Sequence, residues 1–180
     1  MKRLIVIMAV VVLVGGMVSM VRAGSSDTMT LTVNAISAVD VTIYATTYAF
    51  GDLNLNSTSI SATSIAVRNT SSTSIQKYTL KVSADGTNWT VADSTGGDSK
   101  VRIQAEWNTT RPANIPDSTN YNLDTAGKTC NGTLFAGDQD GYQVNPNGEE
   151  NLWFKLWTPE MSGYIGAKTF YLTVTASTAG

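Results

Sequence analysis

Few side chains in this sequence have the chemistry of a catalyst. The chain contains no histidine. That removes Ser-His-Asp and Cys-His nucleophile arrangements, most zinc sites and the commonest general base near neutral pH. Cys130 is the single cysteine, so no intrachain disulfide can form. With only Lys128 close by to favour a thiolate, it reads as a buried structural thiol, the alternative being an intermolecular bridge. Glu149 and Glu150 are adjacent, and neighbours on a strand leave opposite faces, so they cannot act as a glycosidase pair. The residues point away from an enzyme, and no cofactor is expected.

Three patterns retain a capacity to bind. Asp138-Gln139-Asp140-Gly141 resembles the middle of a calcium loop, where alternate carboxylates and a glycine wrap the ion. The EF-hand pattern would need a ligand at Ala136 and a glutamate at Asn147, and neither is present. Asp138 and Asp140 are therefore weak metal candidates, completed by Glu149 or Asp124 if at all, and otherwise form a polar hairpin turn. Trp153 and Trp157 stand four apart, roughly 13 Å along one strand face, a spacing that suits alternate sugars of an extended glycan. The competing reading packs that face under other parts of the chain. Finally, Met29, Leu31 and Val33 near one end and Phe170, Leu172 and Val174 near the other mark two clean alternating strands. Each could pair with a neighbouring chain at an open sheet edge, or simply complete its own sheet.

The elements that must position these residues are strands. In Asn151 to Thr158, Leu152, Phe154 and Leu156 alternate with Trp153, Lys155 and Trp157. A turn at Asn145-Pro146-Asn147-Gly148 precedes this stretch, and Pro159 ends it. Met29 to Ala35 and Val39 to Ile43 alternate in the same way. Tyr48-Ala49-Phe50-Gly51-Asp52-Leu53 reads as an aromatic pair entering a glycine turn. Further strands follow at Ile65–Val67, Tyr78–Ser83 and Val101–Trp107, where Arg102, Gln104 and Glu106 point away from the core. Thr95 to Asp98 is a loop. From Asn108 to Thr129 the period lapses, with Pro112, Pro116 and many Asn and Thr residues, giving a long irregular excursion over about 108–130. Thr133 to Phe135 reads as a brief return to the sheet. No ten-residue stretch beyond the N-terminus has helical period. The pattern predicts an all-β, antiparallel sandwich spanning 24–180 as one domain.

Residues 1–23 read as a signal peptide. Lys2 and Arg3 precede an apolar run from Leu4 to Val14, and Val21-Arg22-Ala23 offers a cleavage site. The alternative is an uncleaved anchor, since Leu4 to Val21 is about the shortest run able to span a bilayer. The chain has twelve basic and fourteen acidic residues, and cleavage would remove three positive charges. A mildly acidic exported domain lacks the basic stripe of a nucleic-acid binder. After cleavage no stable membrane span is expected. Asn56, Asn69, Asn88, Asn108 and Asn131 each begin an Asn-X-Ser/Thr triplet, a glycan acceptor in a eukaryotic secretory route.

Tyr48-Ala49-Phe50-Gly51-Asp52-Leu53 followed by Ile65-Ala66-Val67-Arg68-Asn69-Thr70 resembles the first half of immunoglobulin-like domains of the ASH or major-sperm-protein type. Ser71 stands where their turn has glycine. The second half, through Leu134-Phe135-Ala136-Gly137-Asp138-Gln139, Asn151-Leu152-Trp153-Phe154-Lys155 and Thr173-Val174-Thr175-Ala176, resembles secreted β-rich proteins of uncharacterised bacterial lineages. These resemblances imply an immunoglobulin-like sandwich exported to a bacterial envelope or beyond, and transfer no activity. The resulting expectation is a structural or adhesive surface protein, of the kind that forms a filament or surface layer, with itself or other surface proteins as partners. A carbohydrate-binding module is the alternative.

Overall fold

The computed structural model describes residues 27–37, 40–84, 86, 88–94 and 98–180. The expected signal, Val39 and most of the Thr95–Asp98 loop lie outside them. The strands are β1 (Asp27–Ser37), β2 (Val41–Ile43), β3 (Thr47–Leu53), β4 (Thr58–Ile60), β5 (Ile65–Asn69), β6 (Gln76–Ala84), β7 (Thr90–Val91), β8 (Lys100–Trp107), β9 (Lys128–Thr129), β10 (Glu149–Trp157) and β11 (Lys168–Thr178). A 3-10 turn spans Thr119–Tyr121. The chain is all-β, and its strands form two curled sheets that pack on each other as a sandwich.

The first sheet runs β3-β1-β11-β6-β9 and the second β2-β5-β10-β8-β7. Both are mixed, which corrects the purely antiparallel expectation. β1 lies parallel to β11 from Met29 opposite Lys168 to Ser37 opposite Ala176, and β7 lies parallel to β8. This pairing decides against open-edge assembly positions at Met29, Leu31, Val33, Phe170, Leu172 and Val174, and for the competing reading in which both strands complete their own sheet. β1 sits between β3 and β11, and β11 between β1 and β6, so both strands are internal. All six side chains are buried in the core. The two strands complete their own sheet because each presents an apolar face that only the opposite sheet can cover.

Tyr48–Leu53 is a strand rather than a turn entry. Met29 pairs with Gly51 and Thr30 with Ala49, which leaves Phe50 as an extra residue in a bulge. Gly51 supplies φ 75° there, a conformation cheap only without a Cβ. Phe50 meets Tyr48 edge to face at 4.9 Å. Thr133–Phe135 does not rejoin a sheet. Phe135 turns at φ 62°, buries its ring in the core, and its carbonyl accepts from the Trp107 N–H at 2.8 Å.

β10 is the centre of the second sheet. One edge pairs with β8 from Leu152 to Trp157, and the other is shared between β5 and β4. Leu152, Phe154 and Leu156 are fully buried between the sheets. Truncating Phe154 to alanine removes a ring with no exposed area, and large-to-small core changes of this kind cost about 3–5 kcal/mol. We expect that loss for Phe154→Ala in urea denaturation, and a change under about 1 kcal/mol would mean that the ring is not in the core.

Candidate functional site

The face of β8 and β10 turned away from the core is also buried. Arg102, Gln104, Glu106, Trp153 and Lys155 all lie there with little exposed surface. Alternation along the two strands puts them side by side, with Trp153 opposite Glu106, Lys155 opposite Gln104 and Trp157 opposite Arg102. What covers them is the excursion after Trp107. It lies back over the sheet and buries Ile115 and Leu123 on the way.

The cover is held by polar groups, each with a partner of matching kind. Arg102 donates from Nε to Asn122 Oδ1 at 2.8 Å and from its guanidinium to Asp117. Gln104 Nε2 donates to the carbonyls of Pro116 at 3.0 Å and Ser118 at 3.2 Å. Its other amide atom, Oε1, accepts from Trp157 Nε1 at 3.2 Å. Lys155 Nζ donates to Asn114 Oδ1 and to the Ile115 carbonyl, both at 2.8 Å. The same ammonium lies 4.7 Å from the centre of the Trp157 ring, and the Arg102 guanidinium lies 5.7 Å from it. Burial pulls the Lys155 pKa below its ordinary value, with Asp117 opposing and Arg102 adding to the shift. Arg111 fastens the start of the cover by donating to the carbonyls of Ser61 and Ile60.

This arrangement favours the reading that packs the face under other parts of the chain over the glycan platform. Trp153 is only 7% exposed, and its indole N–H donates to the Asn108 carbonyl at 2.8 Å. Trp157 is half-buried between two cations. The two rings do not form an open pair, because the excursion that follows Trp107 occupies the space a sugar would take. Sequence alternation placed Arg102, Gln104 and Glu106 outward correctly, but not their burial. The available signal was a strand with bulky residues on both faces, which needs a second cover.

Asp138 and Asp140 are engaged in turns. Asp138 accepts from the Thr109 N–H at 2.7 Å and from the Thr109 hydroxyl. Asp140 accepts from the Tyr142 N–H at 2.8 Å. Among the described residues no cluster of three or more His, Cys, Asp or Glu side chains could hold a metal ion. Their carboxylates serve as caps of the loop that crosses the end of the sandwich.

Beneath that loop lies a small buried cluster. Trp107 Nε1 donates to Cys130 Sγ at 3.3 Å, and the Trp107 and Tyr78 rings lie 5.5 Å apart. Gly141 passes so close that a Cβ would come within 2.8 Å of Cys130 Sγ, and its φ of 63° favours glycine. Burial pushes the Cys130 thiol up to about 12, which leaves it neutral and unreactive. Tyr78 is raised for the same reason. Glu150 accepts from the Gly141 N–H at 2.7 Å. Its carboxyl is pushed up to about 7, first by burial and then by Asp140 and Asp138.

Of the five Asn-X-Ser/Thr triplets, Asn69 is fully buried. Its amide donates to the carbonyls of Ser74, Val144 and Asn145, so it is a clamp between loops. Asn56, Asn88 and Asn131 are exposed, and Asn108 is half-buried.

A scan of protein-family models finds none that matches the chain, and a search of curated proteins finds no match.

The raised carboxyl of Glu150 has a direct consequence for stability. A folded-state pKa above the ordinary 4.5 means that the folded protein holds a proton the unfolded chain has released. The associated stability is fully present below about 4.5 and is lost as pH rises through about 7. We expect the urea midpoint to fall between pH 5 and pH 8. Glu150→Gln, which keeps an acceptor for Gly141, should remove much of that fall. An equal slope in the wild type and the variant would show that Glu150 is ionised freely in the fold.

Proposed function

We propose that this protein is an exported, non-enzymatic β-sandwich that serves a structural or adhesive role at a bacterial surface and associates with copies of itself. The apolar Leu4–Val14 run behind Lys2 and Arg3 supports export. The observation that carries self-association is the outer edge of β3. Seven residues long, it has no strand partner on that side among the described residues, whereas the edges at β2, β7 and β9 are two or three residues long. Residues 47–51 of that edge offer main-chain donors and acceptors to a second copy. The edge strand is thus β3 rather than β1 or β11. Among the described residues no helix is long and apolar enough to cross a membrane.

Light scattering coupled to size exclusion on Gly24–Gly180 tests this reading. We expect a mass that grows with concentration. Ala49→Lys places a charge at an exposed position of β3 and should return the protein to monomer. A monomer at every concentration would sink the reading. Growth that survives Ala49→Lys would move it off β3.

A further inference from the structure

The connection from β10 to β11 carries an unusual surface. Met161, Tyr164 and Ile165 are 60%, 52% and 59% exposed, three large apolar side chains within five residues of one loop. Exposed apolar residues scattered singly are ordinary, but a cluster on one projection marks a contact surface. The loop is also held firmly. The Met161 carbonyl accepts from the Ser99 N–H at 2.9 Å. Trp89 Nε1 donates to Ser162 Oγ at 3.1 Å and to the Tyr164 carbonyl at 3.0 Å. Lys168 lies over the Trp89 ring and donates to the Gly166 carbonyl at 3.0 Å. The apolar side chains are thus presented on a braced backbone.

The position of this loop in the fold suggests what covers it. β11 starts at Lys168, directly after the loop, and runs parallel to β1, with Met29 opposite Lys168. The loop and the entry of the chain at Asp27 therefore sit at the same end of the sandwich. The apolar segment Leu4 to Val21 precedes that entry by only Arg22 to Ser26, five residues that reach at most about 17 Å. We propose that this end of the domain rests on a lipid bilayer, with Met161, Tyr164 and Ile165 dipping into the interface beside the membrane into which the chain's own apolar segment inserts. Tyrosine suits the headgroup level, while methionine and isoleucine suit the acyl boundary below it. Glu160 and Asp98 are exposed at the base of the loop, with exposed Lys100 two residues beyond Asp98, so no cationic patch favours an anionic surface over a zwitterionic one. The contact holds through apolar insertion and not through charge. It rests on the alternative in which Leu4 to Val21 is kept as an uncleaved anchor, and is independent of pairing through β3.

Site-specific fluorescence on the full chain tests the contact. In a Cys130→Ser background, which keeps an acceptor for Trp107 Nε1, a single cysteine replaces either Ile165 or Ile75. Ile75 is also exposed and apolar, but its carbonyl accepts from Ala179 at the far end of β11, so it reports the opposite end of the sandwich. Each variant carries the environment-sensitive NBD group and is reconstituted in phosphatidylcholine vesicles, with and without nitroxide-bearing phosphatidylcholine. We expect the label at 165 to emit further to the blue and to be quenched severalfold more strongly by the nitroxide than the label at 75. Equal quenching at both positions would overturn the proposal. A blue shift at 165 without quenching would also overturn it, since a second copy of the chain would then cover the loop. If Cys130→Ser loses the near-ultraviolet dichroism of the folded protein, the same labels are placed with the buried Cys130 retained.

Discussion

Two-sided burial of β10 is the constraint on which the rest of this structure depends. Leu152, Phe154 and Leu156 need the first sheet, and Trp153 and Lys155 need something on the other side. A sandwich supplies only one of these. An antiparallel strand in a two-layer fold ordinarily leaves its second face to water. Here large side chains on that face make the excursion after Trp107 a third layer. The irregular backbone of residues 108–118 follows from its task. A strand or helix would spend its carbonyls on itself, whereas the carbonyls of Ile115, Pro116 and Ser118 are spent on Lys155 and Gln104.

Much of the sandwich was legible because strand periodicity is a local property. β1, β6, β8, β10 and β11 all show strict alternation; burial follows it in β6 and β11, whereas β8 and β10 bury both faces. The parallel pairing of β1 with β11 was not legible, since it joins segments more than a hundred residues apart through backbone groups that carry no residue signature. The same gap left open whether the strands of Met29 and Phe170 lie at a sheet edge, and both are internal. β3 was missed for a different reason. Gly51 resembles a turn residue, and only the opposing strand shows that its positive φ serves a bulge. The site was legible as residues but not as a surface. Trp153 and Trp157 do share a face, yet whether a face is open depends on where an aperiodic segment folds, and composition cannot say.

Two buried polar residues of the loops, Asn69 and Ser61, are likewise met by backbone. Asn69 joins the β5 end to the Ser74 and Val144–Asn145 turns through one amide. Ser61 takes the Phe154 N–H on its hydroxyl at 3.1 Å and gives its own N–H to the Phe154 carbonyl at 2.8 Å. It thereby fills the gap on the edge of β10 between β4 and β5. Both polar residues are fully buried, and in each case the side chain completes a ladder that the strands leave unfinished. The short strands β4 and β5 can share one edge of β10 because Ser61 bridges the break between them.

The layer beneath the cover is charged where an apolar layer would be simpler, and the energetics say what that achieves. Burying Lys155 and Arg102 carries a desolvation cost, visible in the lowered pKa of Lys155, and a well-packed apolar replacement is often as stable or more so. Apolar contacts, however, would let an irregular segment slide over the sheet, because they are non-directional. Hydrogen bonds from Arg102, Gln104 and Lys155 to specific atoms of residues 114–122 admit one placement. The cost of burying charge is thus exchanged for a single position of the excursion. That position holds the Asn108 carbonyl over Trp153 and fixes which aromatic surface the protein hides and which it leaves at the tip.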